Sequence, residues 1–134
     1  MGNVIQDNDF GKLVLRLTVG ILMLFHGVAK VSNLGSLEFI KGQVVNLGWP
    51  EILAYGVYVG EILAPLMIIV GIYARFGGLI IVINMFFAIA LVHADELFSL
   101  GEHGGWALEL QGFYLFCGLA VLCLGSGRFA VKPD

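Results

Sequence analysis

Five ionisable residues sit where an apolar chain has little reason to carry any: His26 and Lys30 in LFHGVAK, Glu61 in GEILAPL, His93 in LVHAD and Glu109 in ALELQ. A carboxylate, an ammonium and imidazoles within reach of one another can take up and release protons and stabilise a developing anion. The same N and O donors suit Zn, Fe or Cu. His26, Glu61, His93 and Glu109 therefore form an alternative, metal-ligating set.

Whether these side chains meet depends on the elements that carry them. The chain has 134 residues, of which 59% are hydrophobic and 13% charged, and a mean hydropathy of +0.94. That is more apolar surface than a soluble domain of this size can bury, so the bilayer is the expected solvent. Runs long enough to cross a core of about 30 Å at about 1.5 Å per residue are residues 13–29, 52–72, 76–94 and 106–124. The expected fold is all-α: a single integral membrane domain, residues 1–134, built as an antiparallel four-transmembrane-helix bundle. The first span resembles a secretory signal, since Lys12 and Arg16 precede its apolar run, but it ends in His26 and Lys30 with no small-residue cleavage pattern and reads as a permanent helix.

Rise per residue converts position into depth. Glu61 falls about 13 Å below the outer end of its span and His26 about 10 Å below the outer end of the first. By the same measure His93 and Glu109 lie roughly 2 to 5 Å inside their spans, and Lys30 is at the rim. All five then occupy one half of the membrane, and one polar pocket open at one face accommodates them. Glu61 carries the sharpest signal, because an ionised carboxylate near mid-membrane costs at least about 2.5 kcal/mol unless it is paired. His26, at nearly its depth, is the expected partner and the pair can share a proton. Lys30, one turn after His26 on the same face, is expected to guard the mouth and neutralise Glu61 or Glu109.

Between the first two spans, Ser36 is positioned to cap a short interfacial helix whose Leu37, Ile40, Val44 and Leu47 recur at helical spacing, ended by Trp49-Pro50. Lys12, Arg16, Arg75, Arg128 and Lys132 fall on one side against Lys30 and Lys41 on the other, which puts both termini in the cytoplasm. Arg16 is expected to snorkel to phosphates there. Asp95, Glu96, Glu102 and His103 read as loop charges. Asn84 and Gln111 are candidates for interhelical hydrogen bonds, and Gly20, Gly27, Gly56, Gly60, Gly112 and Gly118 for close helix approach. Pro65 is placed to kink the second span and free a carbonyl near the pocket. Phe86, Phe87, Phe113, Tyr114 and Phe116 can line a slot for a flat ring. Cys117 and Cys123 lie about 9 Å apart along a helix, too far for a disulfide. The net charge of −3, with no basic tract, excludes nucleic acid as a partner.

In order and spacing these motifs resemble the DoxX family of small bacterial four-helix membrane proteins. They are R-L-x-x-G-x-x-x-x-x-H-G-x-x-K from Arg16 to Lys30, L-G-W-P, G-E-I-L-A-P-L with Glu61, the G-x-x-A-R-x-G turn at Arg75, N-M-x-x-A-x-x-x-x-H to His93, and a closing G-x-G-R at Arg128. The resemblance implies a multi-pass inner-membrane protein related to subunits of a quinone-linked oxidase, with His26, Lys30 and Glu61 handling protons and His93 and Glu109 holding the cofactor. No haem-ligand pair, flavin motif or redox-active dithiol is apparent in the sequence, so quinone is the expected cofactor. The expected partners are the lipid bilayer, a second redox subunit and further copies of the chain. A metal-binding or transport module, and an assembly protein whose polar layer only locks the helices, are the competing readings.

Overall fold

The computed structural model describes residues 7–134. The first six residues lie outside it. The described residues are helical, with no strands and two isolated bridges, Ile72 to Lys132 and Leu100 to Trp106. Helix α1 spans Asn8–Ser32 and α2 spans Leu34–Asn46. A composite helix, α3, runs over Glu51–Val70. It is followed by α4 (Ala74–Val92) and α5 (Glu109–Leu124).

Helices α1, α3 and α4 are long and apolar enough to cross a membrane. The fourth apolar segment is shorter than expected. Its helix begins at Glu109, because Trp106 is held in the preceding loop by its indole N–H, which donates to the Leu97 carbonyl at 2.8 Å, and by its bridge to Leu100. Sixteen residues give about 24 Å of rise.

Local chemistry sets the ends of these helices. The Asp7 carboxylate caps α1, accepting from the Asp9 and Phe10 amides. Asn33, and not Ser36, caps α2 by accepting from the Gly35 amide at 3.0 Å. Gly71, at φ 77°, stops α3 in the left-handed conformation glycine tolerates, and the Gly71 and Ile72 amides both return to the Met67 carbonyl.

Within α3, one α-helical turn gives way to a π-helical stretch, Val59–Leu63, before regular α-helix resumes at Ala64. Pro65 follows directly. A proline ring clashes with the carbonyl four residues earlier and offers it no donor, and here that carbonyl belongs to Glu61. The wide π turn makes room for the ring. Proline thus coincides with a bulge in α3 and denies the Glu61 carbonyl its regular α-helical donor. Gly27 of α1 lies against that carbonyl, where any Cβ would collide with it.

The main core joins Val19 and Met23 of α1 to Ala64 and Ile68 of α3, Ile81 and Met85 of α4, and Tyr114 and Val121 of α5. A second cluster, Leu37 and Val44 of α2 with Ala54 of α3, fastens α2 over the start of α3. Leu47, expected on the inner face of α2, lies past its end and is exposed. Close approach of α4 to α5 runs through Gly78 and Gly118. Gly60 faces Asn84, whereas Gly56 faces open space, so the G-x-x-x-G pair does not act as a unit.

The end of the fold away from the candidate site corrects a further expectation. Arg16 does not snorkel outward but is 1% exposed. Its guanidinium donates to four carbonyls: Ile68 at 2.9 Å, Ile69 at 3.2 Å, Ser126 at 2.9 Å and Phe129 at 2.6 Å. The first two sit in the last turn of α3, where carbonyls lack helical donors and the dipole is negative. Arg16 thereby ties the carboxyl-terminal segment to the helix ends, and Val131 and Lys132 continue the attachment with amide bonds to the Val70 and Gly71 carbonyls. Arg75 does the same for α5, donating to the Leu122 and Cys123 carbonyls. Cys117 and Cys123 are both free thiols.

Candidate functional site

Gly27 sets the geometry of the site. Because it must lie against the Glu61 carbonyl, it fixes which direction on α1 faces α3. At about 100° per residue, His26 is rotated away from that direction and Lys30 falls between the two. The Lys30 ammonium accordingly reaches Glu61, donating to both carboxylate oxygens at 2.6 Å. Glu61 is 3% exposed and Lys30 29%. Asn84 of α4 donates to Glu61 Oε2 at 3.4 Å, so three helices converge on one carboxylate.

His26 is not the partner of Glu61. Its ring meets Tyr114 of α5 edge to face, with centroids 5.6 Å apart. It nevertheless lines the same cavity as the ion pair, a space of about 810 Å³ between α1, α2, α3, α4 and α5. Apolar side chains such as Met23, Ile40, Leu53, Ile83 and Leu91 supply most of its wall, and Lys30, Glu61, Asn84, His26, His93 and Gln111 are among its polar positions.

His93 follows the last turn of α4 and its ring is held on both sides. Nδ1 lies 3.3 Å from Glu96 Oε1, and Nε2 lies 3.4 Å from the Gln111 side-chain nitrogen. The 3-10 turn Ala94–Glu96 brings the carboxylate back to the ring.

Glu109 departs from the expected set. It is exposed at the start of α5 and borders a separate shallow pocket with Trp106, Gly112, Phe113 and Phe116. The reason is the loop holding Trp106, which starts α5 late and turns Glu109 outward. Among the described residues no group of three or more His, Cys, Asp or Glu side chains is placed to hold a metal. The alternative set of His26, Glu61, His93 and Glu109 is therefore not assembled: Lys30 occupies the carboxylate, Tyr114 packs on His26, and Glu109 is elsewhere.

The aromatic slot is also divided. Phe87 and Tyr114 line the cavity and Trp49 packs edge-on to Phe87, whereas Phe86, Phe113 and Phe116 point outward. Sequence reasoning did not anticipate that α2 contributes wall to the site, through Asn33, Ser36, Phe39, Ile40 and Val44. The 3,4-spaced apolar face of α2 was the available signal.

Residues 11–94, which carry most of α1 and all of α2, α3 and α4, match the DoxX family. The chain belongs to the DoxX family. Over 108 residues it is 26% identical to the protein named "Putative oxidoreductase CatD" of Bacillus subtilis (strain 168), an alignment that covers 80% of this chain and 78% of that protein. No solved structure matches the chain. The DoxX match includes His26, Lys30, Glu61, Asn84 and His93, while Gln111 and Tyr114 come from α5 beyond it. Membership and the helices together make this a bacterial membrane protein.

Proposed function

We propose that this DoxX protein is the quinone-binding membrane subunit of an oxidoreductase system. It sits in the inner membrane as an antiparallel four-helix bundle with α2 along the interface and both termini cytoplasmic. The observation that carries the reading is the Lys30–Glu61 ion pair inside a largely apolar cavity of about 810 Å³. A flat lipophilic ring needs apolar walls and a few convergent polar groups at its oxygens, and the residues present fit that need. A quinone bound there supplies two-electron, two-proton redox chemistry.

The chain's own residues do the rest. Lys30 presents an ammonium to a developing oxyanion. Glu61 offers a carboxylate held by Lys30 and Asn84, ready to exchange a proton when the ammonium turns toward the ligand. His26 is a second proton carrier at the cavity wall. The largely apolar walls lower the local dielectric, which strengthens each of these interactions. Electrons arrive from or leave to a partner subunit.

Trp49 lines the cavity and Trp106 does not, so ligand binding has a built-in reporter. Titrating decylubiquinone into the purified full chain is expected to quench tryptophan fluorescence saturably, and Trp49→Phe to abolish the saturable part. Quenching that is linear and unchanged in Trp49→Phe would reject the cavity as a quinone site.

A further inference from the structure

We infer that His93, Gln111 and Glu96 form a proton exit from the cavity to the water on the side of the α4–α5 loop, with Glu96 as its outer terminus. This inference rests on the quinone reading of the cavity. It gives a role to Glu96, which the sequence presents as one more loop charge.

Three observations support it. His93 and Gln111 line the cavity while Glu96, outside it, is 45% exposed, so the imidazole bridges the interior and the surface. The contacts on the two ring nitrogens are also compatible with one tautomer. An amide nitrogen can only donate, so Gln111 Nε2 at 3.4 Å pairs with His93 Nε2 as acceptor when Nδ1 carries the proton toward Glu96 Oε1 at 3.3 Å. Finally, the loop is built to hold this arrangement. The Glu96 amide donates to the His93 carbonyl at 3.0 Å, and the Trp106 indole pins the adjoining Leu97 carbonyl.

As the O–H bond of a bound quinol breaks, its proton forms a bond to the His93 Nε2 lone pair, and the Gln111 amide rotates so that its oxygen accepts from the new Nε2–H. The Nδ1–H bond then breaks toward Glu96 Oε1, and the resulting carboxylic acid gives the proton to water. His93 is left in the other neutral tautomer, and its ring, 28% exposed, returns to the first by exchange with water, Nδ1 taking up one proton as Nε2 gives one up. No net charge accumulates on the ring. The other charged groups around it are Asp95 on its own turn, Glu109 on α5 one turn-end before Gln111, and the Lys30–Glu61 pair across the cavity.

The test uses the purified full chain loaded with decylubiquinol, oxidised at an electrode that takes up the electrons, with proton release followed by a water-soluble pH indicator. Glu96→Gln is expected to slow proton release at least about tenfold, at the low end of what a positioned proton carrier contributes, while decylubiquinol still binds. Formate, a small diffusible acid, is expected to restore the rate, and Asp95→Asn to behave as wild type. Release in Glu96→Gln at the wild-type rate, or slowed release that formate does not rescue, overturns the exit path and leaves the quinone reading standing. Wild-type protein that binds no decylubiquinol overturns both.

Discussion

Replacing Lys30 with methionine removes the ammonium that contacts both Glu61 oxygens at 2.6 Å and leaves the carboxylate with Asn84 alone at 3.4 Å. Glu61 is 3% exposed, so water does not replace the lost partner. A charge stranded in hydrocarbon costs about 2.5–3.5 kcal/mol, and breaking a buried pair about 3–5 kcal/mol. Lys30 is 29% exposed, which argues for the lower figure, about 3 kcal/mol. Glu61→Gln strands the ammonium instead, but its four-carbon stem lets it reach the rim, so that change should cost only about 1 kcal/mol. With both changes together no charge is left unpaired, and the double variant should cost no more than about 1 kcal/mol. The coupling energy is then about 3–4 kcal/mol, measurable by steric-trap unfolding in bicelles as a double-mutant cycle. Equal effects of the two single changes, or a double variant equal to their sum, would refute the claim that the buried Glu61 carboxylate depends on the Lys30 ammonium.

Gly27→Ala places a Cβ 2.7 Å from the Glu61 carbonyl carbon and Ile62 Cγ1, so α1 and α3 must separate; a loss of about 1–3 kcal/mol is expected. Gly56→Ala, with nothing within 4 Å, should instead leave stability unchanged or raise it by up to about 1 kcal/mol, and thermal unfolding in detergent compares the two. Arg16→Met strips the side-chain donor from four carbonyls; at about 1–3 kcal/mol per buried unpaired group it should be the most destabilising single change at that end, with Arg16→Lys intermediate and hydrogen exchange fastest at Val131 and Lys132. The Arg128 guanidinium holds the Asp7 carboxyl below the usual carboxylate range. A depressed folded value means the stabilisation is present above about pH 4 and lost as pH falls through the folded value. Amide exchange at Phe10 should therefore accelerate on acidification in the wild type and show no such step in Asp7→Asn.

Much of the fold was legible because hydropathy and rise per residue act locally. The apolar runs 13–29, 52–72 and 76–94 mark helices α1, α3 and α4, and the 3,4-spaced residues Leu37, Ile40 and Val44 mark α2. What was not legible depends on rotation about a helix axis and on backbone left without donors. Depth alone paired Glu61 with His26. Adding the direction fixed by Gly27, which lies against the Glu61 carbonyl, selects Lys30. Arg16 was misread because its partners are main-chain carbonyls of α3 and of a segment more than a hundred residues away, and no side-chain pattern announces them. Glu109 was misplaced by one turn of helix that the Trp106 loop withholds.

The central claim is that the Lys30–Glu61 cavity holds a quinone, and co-purification tests it most directly. Wild type and Glu61→Gln would be extracted in mild detergent from the same membranes, and bound quinone measured by mass spectrometry against protein. The account predicts quinone in near-stoichiometric amount in the wild type and its loss in Glu61→Gln. Quinone absent from the wild type, or retained undiminished in the variant, would contradict it.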